Sequence, residues 1–136
     1  MNGRSGATGS NSLNIRVASC LALILTAYLS NVPCRAAELV MFETPGCTWC
    51  AAWDAEIGRV YPLTDEGKAA PLRRVDLQES RPDDLAAVRG VVHTPTFVLM
   101  DEGREIGRIR GYPGEDFFWG LLGDLIGRIP GPKPTG

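Results

Sequence analysis

Two cysteines separated by two residues, Cys47 and Cys50, constrain this 136-residue chain more than any other feature. They lie in the run Pro45-Gly46-Cys47-Thr48-Trp49-Cys50, after an apolar strand-like segment (Leu39 to Phe42) and at the start of an amphipathic helical pattern. A strand-to-helix junction puts the first sulfur at a helix N-terminus. There the unpaired N–H groups and the positive end of the helix dipole favour thiolate over thiol. The second sulfur falls one turn inside the helix, within reach of the first. One sulfur can then attack a disulfide while the other resolves the mixed disulfide. A purely structural bridge fits less well, because closing so short a loop is worth only about 2 kcal/mol on the chain-entropy relation. A structural zinc site wants about four ligands, and the chain supplies too few.

The first 36 residues read as an address. Arg4 and Arg16 sit in a polar, Gly- and Ser-rich start with no acidic residue before Glu38. Val17 to Leu29 is apolar, Ser30-Asn31-Val32-Pro33 ends the run, and small residues follow at Cys34-Arg35-Ala36-Ala37. These are the parts of a secretory signal peptide, with cleavage expected after Ala36, a mature start at Ala37 and a periplasmic location. The alternative is a retained anchor, for which the apolar run is short against the ~20 residues of a bilayer span. Lipidation at Cys20 or Cys34 fits poorly: Cys20 precedes the apolar run, and Cys34 follows Pro33 where a small, flexible residue is needed. No Arg-Arg pair supports a twin-arginine route.

Removing residues 1–36 takes away three arginines and no acid, which moves the formal net charge from −2 to −5. That balance speaks against nucleic acid or an anionic membrane as the main partner, and no membrane insertion is expected after cleavage. Cys20 and Cys34 also leave, so Cys47 and Cys50 become the only thiols. An oxidising compartment would close the pair, so a reducing role requires a dedicated electron source.

Residues 37–129 are enough for one domain with one core, and 130–136 form a Pro/Gly tail. Glu38 to Glu43 reads as a buried strand. Trp49, Trp53, Ile57 and Val60 recur at helical spacing until Pro62. Thr64 can cap a helical turn over 65–70, and Pro71 to Leu77 alternates as a second strand. Pro82-Asp83-Asp84 opens a short helix with Leu85, Val88 and Val92 as its inner face. Thr96 to Met100 and Glu105 to Arg110, joined by a turn at Asp101-Glu102-Gly103-Arg104, read as a hairpin. Gly114 to Ile129 closes the domain as a helix with Phe118, Leu121, Leu122, Leu125 and Ile129 on one side.

The order β-α-β-α-β-β-α, with the cysteine pair after the first strand, resembles the thioredoxin fold. It implies an α/β domain with a central mixed four-stranded sheet flanked by helices. Val91-Val92-His93-Thr94-Pro95-Thr96 resembles the family's cis-proline segment. The resemblance implies that Pro95 faces the cysteine pair and that the Thr94 backbone pairs with an extended substrate. Gly111 matches a family glycine that lets the backbone approach the site. Within the superfamily the chain is similar to the periplasmic thioredoxins of bacterial sulfur-oxidation (Sox) clusters. Met41-Phe42-Glu43, Pro45-Gly46-Cys47, Trp53-Asp54-Ala55-Glu56-Ile57-Gly58, Tyr61-Pro62, Ala70-Pro71-Leu72-Arg73-Arg74-Val75-Asp76 and Thr94-Pro95-Thr96-Phe97 carry that likeness. It implies a thiol–disulfide oxidoreductase that keeps the cysteine of a sulfur-carrier protein reduced. Electrons would come from a membrane thiol transporter, with no cofactor and no metal.

The chain also departs from ordinary thioredoxins. Gly-Cys-Thr-Trp-Cys replaces Trp-Cys-Gly-Pro-Cys. The family's buried aspartate and its lysine neighbour fall at Met41 and near Leu72, both apolar. The usual proton relay to the second sulfur is therefore missing, and Glu43, Asp54 or a water are the candidates to replace it. Cys47 is expected to attack and Cys50 to be shielded. Thr48 and Trp49, between the cysteines, are expected to face outward and meet the substrate, while Trp53 belongs in the core. The Thr94 hydroxyl is expected beside the Cys47 sulfur, donating to its thiolate. His93, the only histidine, either stabilises that thiolate or flanks the groove in solvent, and the second reading is favoured. Arg73-Arg74 reads as a solvated strand face with one edge contact. Two other functions stay open: general disulfide isomerisation or cytochrome c maturation on the same fold, and a non-catalytic copper carrier using the two thiolates.

Overall fold

The computed structural model describes residues 37–130. The expected leader over 1–36, with Cys20 and Cys34, and residues 131–136 of the expected tail lie outside the described residues.

Strand β1 (Glu38–Glu43) is apolar on both faces because it is covered on both. Leu39 and Met41 point to one side of the sheet, Val40 and Phe42 to the other, and all four are buried. β2 (Leu72–Asp76) pairs with it in parallel, and β3 (Thr96–Asp101) pairs on its other edge antiparallel. β4 (Arg104–Arg110) completes the hairpin expected from the sequence, giving one mixed four-stranded sheet in the order β2-β1-β3-β4. The parallel β1–β2 pair requires a crossover. It is made by helix α1 (Thr48–Trp53) running into a π-helical turn (Asp54–Gly58), a 3-10 turn (Tyr61–Leu63) and helix α2 (Asp65–Ala69). Thr64 caps α2 as expected, its Oγ1 accepting the Gly67 N–H at 3.0 Å. Gly67 has to be glycine: a Cβ there would lie 1.9 Å from the Tyr61 carbonyl oxygen. Helix α3 (Glu115–Ile126) packs last.

The two faces of the sheet are covered unequally. On one, Trp53, Ile57 and Tyr61 from the crossover meet Phe97, Leu39 and Met41 from the sheet and Phe118, Leu122 and Leu125 from α3. Trp53 is fully buried, as expected, with its ring centre 5.3 Å from Phe97, and Phe97 lies 4.9 Å from Phe118. On the other, a smaller cluster of Val40, Phe42, Val75, Val98 and Met100 is covered by Leu85 and Val88 from the connection before β3.

Three expectations need correction. The helix from Thr48 does not keep its 3.6-residue period to Val60. It widens into the π turn after Trp53, which keeps Trp53 and Ile57 inward and leaves Val60 exposed. The second helix is only the 3-10 turn Asp83–Leu85; Leu85 and Val88 are buried, but Val92 is 75% exposed because no helix carries it inward. α3 stops at Ile126, and Leu121 is exposed at the margin of the stripe formed by Phe118, Leu122 and Leu125.

Candidate active site

Cys47 and Cys50 form a disulfide with their Cα atoms 5.2 Å apart. The sequence builds this locally. Pro45 and Gly46 turn the chain out of β1, with Gly46 at a φ of +75°, and the Cys47 N–H returns to the Thr44 carbonyl at 3.2 Å. Cys47 is the N-cap of α1 in extended backbone, and its Sγ accepts the Cys50 N–H at 3.1 Å. The first sulfur thus occupies the place of a capping oxygen, where a donor and the helix dipole favour negative charge. Cys50 is only 4% exposed, one turn inside, whereas Cys47 is partly accessible. The arrangement can carry out exchange from an accessible sulfur and closure from a sheltered one. Thr48 is exposed and Trp49 is 62% exposed, so both residues between the cysteines face outward.

The connection before β3 brings the second part of the site. The Thr94–Pro95 peptide bond is cis, Pro95 is buried and its carbonyl accepts the Gly111 N–H at 2.7 Å. Gly111 has a φ of +78°, a backbone that side chains disfavour. The Thr94 hydroxyl lies 3.3 Å from that of Thr44. The Thr44 carbonyl also holds the Cys47 amide; in this oxidised state the Thr94 hydroxyl neighbours Thr44, while its expected donation to Cys47 concerns the reduced thiolate. His93 is exposed, and its carbonyl accepts the Thr96 hydroxyl at 2.7 Å.

A cavity of about 450 Å³ opens on the pair, lined by Glu43, Thr44, Cys47, Cys50 and Asp54 among others. Arg74 spans its two carboxylates. It donates to Glu43 at 2.9 and 2.5 Å and to Asp54 at 2.7 and 2.9 Å. These bonds hold the Arg74 guanidinium well above its ordinary pKa, first through Glu43 and then through Asp54. Arg73 points to the opposite face, where it bridges Glu38 at 3.3 Å and Asp84 at 2.7 Å. Arg73 and Arg74 stay partly solvated, at 29% and 39% side-chain exposure, but in place of the one expected edge contact each bridges two carboxylates, and Arg74 is the site residue that the sequence reading missed. Its signal was the alternation of β2, which sends Arg74 and Arg73 to opposite faces; its partners depended on the register that sets Met41 opposite Arg74. Met41 itself is fully buried and apolar, so that position offers no carboxylate. Among the described residues no group of three or more His, Cys, Asp or Glu is placed to hold a metal ion.

A scan against protein-family models and a search of curated proteins each found no match. Solved structures do match. The periplasmic thioredoxin SoxS from Paracoccus pantotrophus, in its reduced form, is 55% identical, with a TM-score of 0.66 over 69% of this chain and 99% of that one. A thioredoxin from Malassezia sympodialis is similar at 21% identity and a TM-score of 0.51, covering 67% of this chain and 76% of that one. A mutant thioredoxin from Halobacterium salinarum is similar at 24% identity and a TM-score of 0.53, covering 76% and 88%. The last two speak to the fold alone.

Proposed function

This chain belongs to the thioredoxin family and is a thiol–disulfide oxidoreductase, and from that premise we propose that it is a periplasmic reductase of the cysteine on a sulfur-carrier protein. The observation that carries the reading is the 55% identity to a periplasmic thioredoxin over 99% of that protein's length. The reducing direction needs electrons from outside an oxidising compartment, and a membrane thiol transporter is the partner that would supply them.

In the proposed reaction the Cys47 thiolate attacks a sulfur of the carrier's disulfide or sulfur adduct. The partner's S–S bond breaks, its other sulfur leaves as a thiolate, and a Cys47–carrier mixed disulfide forms. The Cys50 thiol then loses its proton and attacks the Cys47 sulfur. The carrier cysteine leaves reduced, the Cys47–Cys50 disulfide closes, and two electrons have passed to the partner. Thr94 and Pro95 border the extended partner chain, with the Thr94 backbone as its pairing edge. Thr48 and Trp49 form the outer wall, and the exposure of Trp49 supports that role.

Cys50→Ala tests the reading, because it removes the closing thiol and stalls the reaction at the mixed disulfide. The trapped species, taken from the periplasm and identified by mass, is expected to contain a sulfur-carrier protein. A trap filled only by unrelated secreted proteins would favour general disulfide isomerisation. A Cys47→Ala, Cys50→Ala control must trap nothing.

A further inference from the structure

We propose that Arg74 sets the reduction potential of the Cys47/Cys50 couple by compensating two carboxylates, Glu43 and Asp54, in the wall of the cavity that both cysteines line. This rests on the oxidoreductase reading of the pair and adds what tunes it.

Three elements converge to make the cluster. Glu43 ends β1, Asp54 lies four residues after Cys50 at the end of α1, and Arg74 is central in β2. Four hydrogen bonds between 2.5 and 2.9 Å lock the guanidinium against both carboxylates. Gly58 leaves them room, since a Cβ there would come within 3.2 Å of the Asp54 Oδ1. The neighbouring charges are occupied elsewhere. Asp76, the register partner of Glu43, accepts the Gln78 N–H at 2.8 Å; Glu56 is bonded to Tyr112; and Arg73 serves the other face. Asp76 and Glu56 keep their charges but do not line the cavity, whose carboxylates are Glu43 and Asp54; with the Arg74 guanidinium that cluster carries a net −1.

Reduction of the disulfide places a thiolate next to that charge. A more negative wall raises the energy of the thiolate, lifts the thiol pKa and favours the disulfide, which makes the dithiol the stronger reductant. Arg74 holds this effect in check, since removing it would leave a net −2. Removing either carboxylate would leave the wall neutral and move the couple the other way. Asp54 is 43% exposed, so solvent and salt attenuate the effect. A change of about three- to tenfold in the exchange constant is expected, and tenfold is about 30 mV for a two-electron couple.

The test equilibrates wild type and four variants, Arg74→Met, Arg74→Lys, Glu43→Gln and Asp54→Asn, with a reference dithiol at fixed pH, and reads the Cys47 pKa from thiolate absorbance. Arg74→Met is expected to raise the pKa and make the dithiol more reducing; the two carboxylate variants are expected to do the reverse. Arg74→Lys should recover most of the wild-type potential by restoring the charge. If Arg74→Met does not fold, the near-isosteric carboxylate variants still decide the sign. Shifts in one common direction, or melting temperatures that fall while the exchange constants stay within twofold, overturn the proposal and leave the oxidoreductase reading standing. A pair inert toward every dithiol overturns both.

Discussion

The connection after β1 (residues 44–70) carries the disulfide and the connection before β3 (residues 77–95) meets it at the Thr94–Thr44 hydroxyl contact, yet they are held by different means. The first is helical and rooted in aromatic packing. Trp53 touches Tyr61, Phe97 and Phe118 at ring separations of 5.9, 5.3 and 5.8 Å. The second has one 3-10 turn and, before Pro95 at its end, only Leu85 and Val88 buried, and it is pegged by guanidinium groups instead. Arg73 forks onto Asp84 at 2.7 and 3.1 Å; Arg81 lies over the Phe42 ring at 5.3 Å and donates to the Val88 carbonyl. Arg108, gripped by Glu105, donates to the Arg89 carbonyl at 2.9 Å. A segment with few apolar anchors borrows definition from charge-assisted bonds to its backbone. Cys47 and Cys50 thus stand on the part of the domain with the larger apolar anchorage, and Thr94 on the part with fewer buried side chains, which is expected to open at lower cost.

Trp53→Ala is the most severe way to break this contrast. It is expected to remove about 3–5 kcal/mol, a large part of an ordinary domain stability of about 5–15 kcal/mol. Urea unfolding measures it, and a loss below about 1 kcal/mol would deny the aromatic cluster its role. Leu85→Ala, in the smaller cluster, should cost about 2–3 kcal/mol and leave the cysteines competent for exchange with a small disulfide. If it costs as much as Trp53→Ala, the two faces anchor the domain equally.

Tyr61→Phe sharpens the comparison through pH. The Tyr61 hydroxyl donates to the Ala70 carbonyl at 2.7 Å, and its loss strands a buried acceptor, costing about 1–2 kcal/mol near neutrality. Burial first, and the Glu66 charge second, push the Tyr61 phenol well above its ordinary pKa. The folded state therefore holds that proton more tightly than the unfolded chain does. Its contribution is intact below about pH 10 and is lost as the pH rises from there toward the folded value. The gap between wild type and Tyr61→Phe should narrow above pH 10, and a gap that widens would reverse the assignment. Arg108→Met is expected to have the smallest effect, below about 1 kcal/mol globally, while speeding amide exchange over residues 86–92. Exchange there at the wild-type rate would mean that the loop does not lean on this peg.

Much of this was legible in the residues alone because it is local. Gly46 next to Cys47, Thr64 three residues before Gly67, and the doubly apolar run of β1 each act within a few positions of themselves. The order of elements around Cys47, Cys50 and Pro95 was enough to indicate the thioredoxin family. The periodic signals failed where neighbours outside the segment overrode them. Val92 lost its inward place when the connection before β3 made one 3-10 turn, and Val60 lost its own when α1 widened into a π turn.

The charges at the site were decided only by tertiary structure. Arg74 meets Glu43 31 residues away and Asp54 20 residues away, and the Thr94 hydroxyl finds Thr44 across 50. A guanidinium reads the same in any exposed strand; its partners exist only once β2 lies parallel to β1 with Met41 opposite Arg74. Cysteine spacing, caps and turns are written along the chain because each is satisfied by atoms a few bonds away. The environment that tunes the sulfurs is an electrostatic sum over three separate elements, and only their packing brings those charges to hydrogen-bonding distance.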